Sequence, residues 1–236
     1  MLISHKRKFI FIHIYKNAGT SITSALLKHA DFSHNFVNKR PYNYILSLIN
    51  RLLPSLSSKS NSWLVGFRKH ATALEIKDGL TEDEWDVFYK FAFVRNPYSH
   101  IESLYSYIKG NRSHKYFRLI KDKNFDEFVE FYCSKAFRLQ NEFVRYGDDI
   151  VVDFVGHVEK IQYDLEKVCK DIGIEYEGCP FKNAGDQNSE SLWCKVSQDS
   201  LKMFNSYAAI DFNVFNYNIC DSVKGVCEND RAPSVD

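Results

Sequence analysis

Hydrophobic residues fall into three short continuous runs, with stripes of helical spacing between them. Phe9–Ile14 is apolar at nearly every position, which is typical of a strand buried on both faces of a parallel sheet. Tyr89–Val94 and Ile150–Val155 are the other two predicted strands. Because strands and helices alternate, the pattern predicts an α/β fold with a mostly parallel central sheet flanked by helices. We expect one domain over residues 1–236.

Capping and stop signals place the ends of the predicted helices. Thr20 or Ser21 is the expected N-cap of the first helix, and a capping box at Thr81–Glu84 opens a second. Pro97 suits the first turn of a third helix, which Gly110 closes. Three more helices are predicted, from Asn124, over Glu159–Ile172 and, as the last in the chain, over Ser200–Ala209.

Charge is balanced over the chain, with 31 basic and 30 acidic residues and a net charge of +1. No whole-molecule field therefore attracts polyanions, which argues against nucleic acid and against a heparin-like partner that needs a broad basic face. Any anion site must be local.

Targeting signals are weak. Met1–Lys8 is basic, but the apolar run after it is too short for a signal peptide, and no run of 18 apolar residues predicts a transmembrane helix. We therefore expect a cytoplasmic protein; a fragment of an anchored protein is the alternative.

Six cysteines lie at positions 133, 169, 179, 194, 220 and 227, without a CxxC pair or a histidine at ligand spacing. This pattern argues against a zinc site. Reduced thiols are the expectation in a cytosol, and Cys220 with Cys227 is the pair that a tight loop could join.

The first predicted strand runs into Tyr15-Lys-Asn-Ala-Gly-Thr-Ser21 and then into a helix. A strand, a tight glycine loop and a helix N-terminus present backbone N–H groups to one point, which makes a P-loop-like anion site. Lys16, Thr20 and Ser21 add a cation and two hydroxyls. The loop is not a Walker A sequence, since the lysine precedes the glycine, and no carboxylate for magnesium is evident. A purely structural turn is the alternative for the loop taken alone.

Phe11–Ser21 resembles the 5′-phosphosulfate loop of the carbohydrate sulfotransferases that use 3′-phosphoadenosine 5′-phosphosulfate (PAPS). Phe93–Tyr105 resembles the 3′-phosphate segment of the same family. The likeness extends through Phe154–Glu159 to Tyr217, and so covers residues 9 to about 217. Tyr15 departs from the family pattern, which has proline there; the change removes no phosphate donor.

The resemblance implies PAPS as co-substrate, 3′-phosphoadenosine 5′-phosphate (PAP) as product, and no metal. Its PAPS-binding residues, carried over one by one, are Lys16, Asn17, Ala18, Gly19, Thr20, Ser21, Arg95 and Ser103. Lys16 is the implied catalytic cation at the departing phosphate oxygen. The resemblance also implies a histidine base between the two motifs, and His70 matches that segment.

His70 suits this role because histidine, with an ordinary pKa of ~6.5, can be neutral at physiological pH. His13 is the rival, although a histidine in an apolar strand is more often part of the core. Four further candidates are weaker, namely His100, His157, Glu102 and Glu159.

Two other functions stay open: a kinase-like phosphotransferase, which would require magnesium, and a nucleotide-binding module without activity. The expected acceptor is a hydroxyl, with a glycan closest to the resemblance. Residues 38–69 are the expected acceptor-shaping insertion, and 218–236 the C-terminal tail. An amphipathic stripe over 44–53 in the insertion predicts a cap helix, with an acceptor lid or a peripheral membrane contact as alternatives.

Overall fold

The computed structural model describes residues 1–33, 68–180 and 191–229. Most of the 38–69 segment, including its stripe, lies outside these residues. The chain divides into two compact units, each built from two stretches of sequence. We call Met1–Val94 with Glu142–Lys182 the sheet unit, and Arg95–Asn141 with Asn183–Asp236 the helical unit.

The sheet unit contains a five-stranded sheet in the order β3-β1-β2-β4-β7. Its strands are β1 (Leu2–Ser4), β2 (Phe9–Ile12), β3 (Phe32–Ser33), β4 (Tyr89–Val94) and β7 (Phe154–His157); a separate hairpin pairs β5 (Arg145–Tyr146) with β6 (Asp149–Ile150). The pairs β2–β4 and β4–β7 are parallel, whereas β1 pairs antiparallel with β2 and with β3. The predicted α/β class and the two strands β2 and β4 are confirmed.

Helices of the sheet unit are α1 (Gly19–Leu26), α2 (Ala73–Lys77), α3 (Glu82–Val87) and α7 (Ile161–Asp171), with short 3₁₀ turns at Leu27–His29 and Val158–Lys160. A further 3₁₀ turn, Asn141–Phe143, begins at the last residue of the first helical-unit stretch. Apolar side chains of α1 and α7 pack with the phenylalanines of β2 and β4 in one buried cluster. This burial fixes the start of α1 against the end of β2, where the predicted anion loop lies.

The helical unit contains α4 (Pro97–Gly110), α5 (Phe117–Ile120), α6 (Phe125–Phe131), α8 (Gln198–Tyr207), α9 (Ala209–Val214) and α10 (Val223–Asn229). A π-helical turn, Tyr132–Ala136, follows α6, and a 3₁₀ turn spans Leu192–Lys195. Trp193 is fully buried, and its ring meets those of Tyr98 and Phe204 in an aromatic core. Burial raises the pKa of Tyr98 to about 12.

Three sequence predictions of the fold are wrong. Ile150 belongs to the β5–β6 hairpin, and the third parallel strand starts only at Phe154. The Asp153 carboxylate accepts from the Lys90 backbone amide, and the chain bends at this residue before the strand begins. Ser200–Ala209 is not the last helix, since α9 and α10 follow. The expectation of reduced thiols is wrong for Cys194 and Cys227, which form a disulfide with Cα atoms 5.8 Å apart.

The pair that a tight loop could join, Cys220 with Cys227, does not form, and the structure shows the physical reason. The backbone N–H of Cys220 donates to the Tyr98 hydroxyl, and its carbonyl accepts from the Asn205 amide, so this residue is tied to the aromatic core. Cys227, on α10, instead faces the 3₁₀ turn that carries Cys194.

Candidate active site

The loop between β2 and α1 has an unusual backbone. Lys16 and Ala18 have φ angles of 64° and 52°, in the left-handed region that side chains other than glycine rarely adopt. Alternation of left- and right-handed residues turns successive N–H groups toward one concave side, as in anion-binding nests. Ala18 is also the N-cap of α1, and its side chain offers no cap.

The predicted N-cap at Thr20 or Ser21 is therefore wrong, since both residues lie inside the first turn of α1. The left-handed backbone at Ala18 starts the helix earlier than a hydroxyl cap would. The amides of Gly19 and Thr20, at the first two helical positions, have no acceptor one turn earlier in the helix. They remain suited to an anion, and the positive end of the helix dipole adds to this preference.

Asn17 anchors the loop to the sheet. Its side chain is buried, and its Nδ2 donates to the Phe93 carbonyl over 2.9 Å. Phe93 lies on β4, so the loop is fixed to the strand that leads into the second motif. Asn17 is thus explained as an anchor of the loop.

Gly19 is required by a close approach. A Cβ atom on Gly19 would lie 1.8 Å from Nε2 of His13, and His13 is itself buried. The imidazole of His13 therefore packs directly on the first residue of α1. This packing supports the core role for His13 that its apolar strand predicts.

His70 lies against the end of β2. Its Nδ1 is 2.8 Å from the His13 carbonyl oxygen, and its ring contacts those of His13 and Tyr15. A carbonyl oxygen only accepts, so Nδ1 must carry the proton of this bond. In the neutral imidazole Nε2 then holds the lone pair, which is the protonation state that a base needs. The structure thus brings His70 together with the residues that lead into the loop.

Arg95 and Ser103 belong to the helical unit. Arg95 follows β4 directly, and Ser103 lies on α4, whose first turn is capped by Asn96 through a 3.0 Å bond from the Tyr98 amide. Pro97 occupies the first turn of α4, as predicted.

A buried polar network that sequence reasoning missed holds the backbone of Arg95. Gln140 Oε1 accepts from the Arg95 N–H over 2.9 Å, and Gln140 Nε2 donates to the Arg95 carbonyl over 2.8 Å. Asp211 in turn accepts from the backbone amides of Gln140 and Asn141. The only sequence signal was that the likeness to the family extends past Asp211, to Tyr217.

The weaker base candidates have other contacts. Glu102 accepts from the Ser191 hydroxyl over 2.6 Å, and the His157 backbone amide donates to Asp164 over 2.6 Å. His100 is buried within α4. The hydrogen bond from Ser191 and the burial of His100 are consistent with structural roles for Glu102 and His100.

Comparison with known proteins identifies the class. The model of the sulfotransferase family matches residues 1–218, so the chain belongs to that family. Sulfuryl transfer is the general chemistry of such enzymes.

One relative is an uncharacterized protein from Archaeoglobus fulgidus, 32% identical over 124 residues, which cover 50% of this chain and 95% of that protein. No solved structure matches. Among the described residues, no helix is long and apolar enough to cross a membrane.

Proposed function

We propose that this enzyme transfers the sulfuryl group of PAPS to a hydroxyl of a carbohydrate. The observation that carries the proposal is the pairing of an anion loop with an adjacent histidine whose Nδ1 is held by the His13 carbonyl. Phosphate binding alone would need only the loop. A positioned base beside it supports transfer to a group that must lose a proton.

The loop fits a phosphosulfate group. Lys16 supplies a cation, and the backbone amides of Gly19 and Thr20 lie in the first turn of α1. Thr20 is exposed. Charge-assisted hydrogen bonds of this kind are the strongest that proteins offer to phosphate and sulfate oxygens. In the family resemblance, Arg95 and Ser103 complete the binding of the co-substrate at its 3′-phosphate.

The reaction needs one bond made and one broken. The acceptor oxygen forms a bond to sulfur as the bond between sulfur and the 5′-phosphate oxygen breaks, and PAP leaves. Nε2 of His70 takes the acceptor proton, while Lys16 neutralises the charge that develops on the departing phosphate oxygen. A mechanism without metal, a cytoplasmic location and the absence of a nucleic-acid partner remain predictions.

A basic segment supports an acidic carbohydrate as acceptor. Residues 109–123 contain six basic residues and one acidic residue, although the whole chain carries only +1. Arg112 and Arg118 are exposed, and within the described part of the chain neither pairs with a carboxylate. Lys109 Nζ donates to the carbonyls of Lys121 and Lys123, so the segment folds back on the end of α4. Net charge does not report such a local excess.

The test is transfer from labelled PAPS by the purified full chain to a panel of neutral and acidic polysaccharides, with and without EDTA. We expect labelled product from the acidic members in both conditions. Arg112→Ala with Arg118→Ala should raise KM for the polysaccharide and leave KM for PAPS unchanged. Magnesium-dependent transfer of the ATP γ-phosphate would instead identify a kinase, and PAP binding without turnover on any acceptor would identify an inactive module.

A further inference from the structure

Arg95 lies in a two-residue connection between β4 and α4, where neither sheet nor helix fixes the backbone. The Gln140 side chain bonds the Arg95 backbone as a neighbouring strand would. Its amide group accepts from the Arg95 N–H at 2.9 Å and donates to the Arg95 carbonyl at 2.8 Å. Gln140 is fully buried. The side-chain amide of Gln140 therefore holds the backbone from which the Arg95 side chain extends.

Asp211 holds Gln140 in turn. This carboxylate on α9 is 2% exposed, and it accepts from the Gln140 amide at 2.9 Å, the Asn141 amide at 2.8 Å and Asn141 Nδ2 at 2.6 Å. A buried carboxylate is stable when several N–H groups donate to it, and removing its partners is costly. The bonds thus form a chain from α9 to the Arg95 backbone.

We infer that Gln140 and Asp211 are positioning residues that aim Arg95 at the 3′-phosphate of the co-substrate. The inference rests on the role of Arg95 in the proposed function. Fully satisfied polar networks rigidify a core, and this network ends at one residue of the second motif. Binding of a phosphate by a guanidinium fork depends on direction as well as charge, so a small shift of the backbone weakens it.

The sharpest test compares PAP with AMP, which differ only in the 3′-phosphate. Gln140→Leu removes both bonds to Arg95 at similar side-chain size. We expect the PAP affinity to fall about tenfold to hundredfold, as a misplacement of 1 Å can produce, while the AMP affinity stays unchanged. Calorimetric titration at a temperature where circular dichroism shows a folded protein gives both affinities.

Asn205→Ala is the matched control. Asn205 accepts from the Tyr98 hydroxyl over 2.7 Å and donates to the Cys220 carbonyl over 2.9 Å, so the variant also removes two hydrogen bonds from the helical unit. It should lower the melting temperature without changing the PAP-to-AMP affinity ratio. If Gln140→Leu does not fold, Gln140→Glu keeps the acceptor for the Arg95 N–H, loses the donor to its carbonyl, and should lower the ratio.

Arg95→Ala separates the two claims. If this variant keeps the normal PAP-to-AMP ratio, Arg95 does not bind the 3′-phosphate and the assignment in the proposed function fails. If Arg95→Ala lowers the ratio but the folded Gln140 variants and Asp211→Asn do not, the role of Arg95 stands and the positioning role is overturned. A fall of the ratio in all of these variants supports both claims.

Discussion

Replacement of His70 by asparagine gives the most informative test of mechanism. The asparagine amide can still donate to the His13 carbonyl, as His70 Nδ1 does over 2.8 Å, but it has no basic nitrogen. We expect turnover to fall by about 10²–10⁴-fold, the usual contribution of a positioned base, while PAP affinity stays nearly unchanged. His70→Ala removes the hydrogen bond as well.

Replacement of His70 is expected to change the activation barrier more than the free energy of unfolding. His70 is half-buried, and the hydrogen bond between its Nδ1 and the His13 carbonyl is worth roughly 0.5–1.5 kcal/mol net. The expected loss of turnover corresponds to about 2.7–5.4 kcal/mol in the activation barrier. His70→Asn should therefore lose much more activity than stability, and His70→Ala should add only a small further fall in melting temperature.

The assay is single-turnover transfer from labelled PAPS across a pH series, with thermal unfolding measured on the same samples. Protonation of Nε2 removes the lone pair that accepts the proton, so wild-type turnover should fall as pH decreases through the titration of the imidazole. The asparagine variant should lose this acidic limb. Lys16→Ala, by contrast, should reduce both turnover and PAP affinity.

Near-normal turnover in folded His70→Asn would refute the base assignment, and His13 would be tested next. A parallel fall of activity and melting temperature would instead indicate that His70 only packs against the end of β2.

Three further predictions follow from single features. PAP should raise the melting temperature more than ATP does, and Arg95→Ala should weaken PAP binding by roughly 1.5–3 kcal/mol while the fold persists; equal stabilisation by both nucleotides would contradict this. Alkylation of the unreduced, denatured chain should label four cysteines, and reduction should expose two more. The Cys194–Cys227 bond spans 33 residues, so its loss should lower the free energy of unfolding by about 3–4 kcal/mol. Gly19→Ala should destabilise the protein by about 1–3 kcal/mol through overpacking, whereas Gly110→Ala, with nothing within 4 Å of its added Cβ, should not.

Features set by local sequence were predicted well. β4 was predicted with its observed bounds, the capping box at Thr81 forms as its residue spacing indicates, and the helix predicted from Asn124 begins there. A capping box uses side chains three residues apart, so neighbouring residues decide it. The order of loop and helix at the candidate site also depends on neighbouring residues, and it was predicted as well.

Features that depend on contacts between residues distant in sequence were not predicted. Gln140 is bonded to Arg95, 45 positions away in the sequence, and to Asp211, 71 positions away. No periodicity of either segment reports such a pairing. The partner of Cys227 and the hairpin at Ile150 depend in the same way on which elements meet in the fold.

The interleaving of the two units has a consequence for synthesis. The chain leaves the sheet unit after Val94, returns at Glu142 and leaves again after Lys182. As the chain emerges from the ribosome, β4 can pair with β2 at once, but its other edge stays open until β7 has been translated. An open edge strand invites pairing with other chains. The nascent sheet therefore passes through an aggregation-prone stage that lasts while the first part of the helical unit is made, and a truncation at Val94 would make that stage permanent.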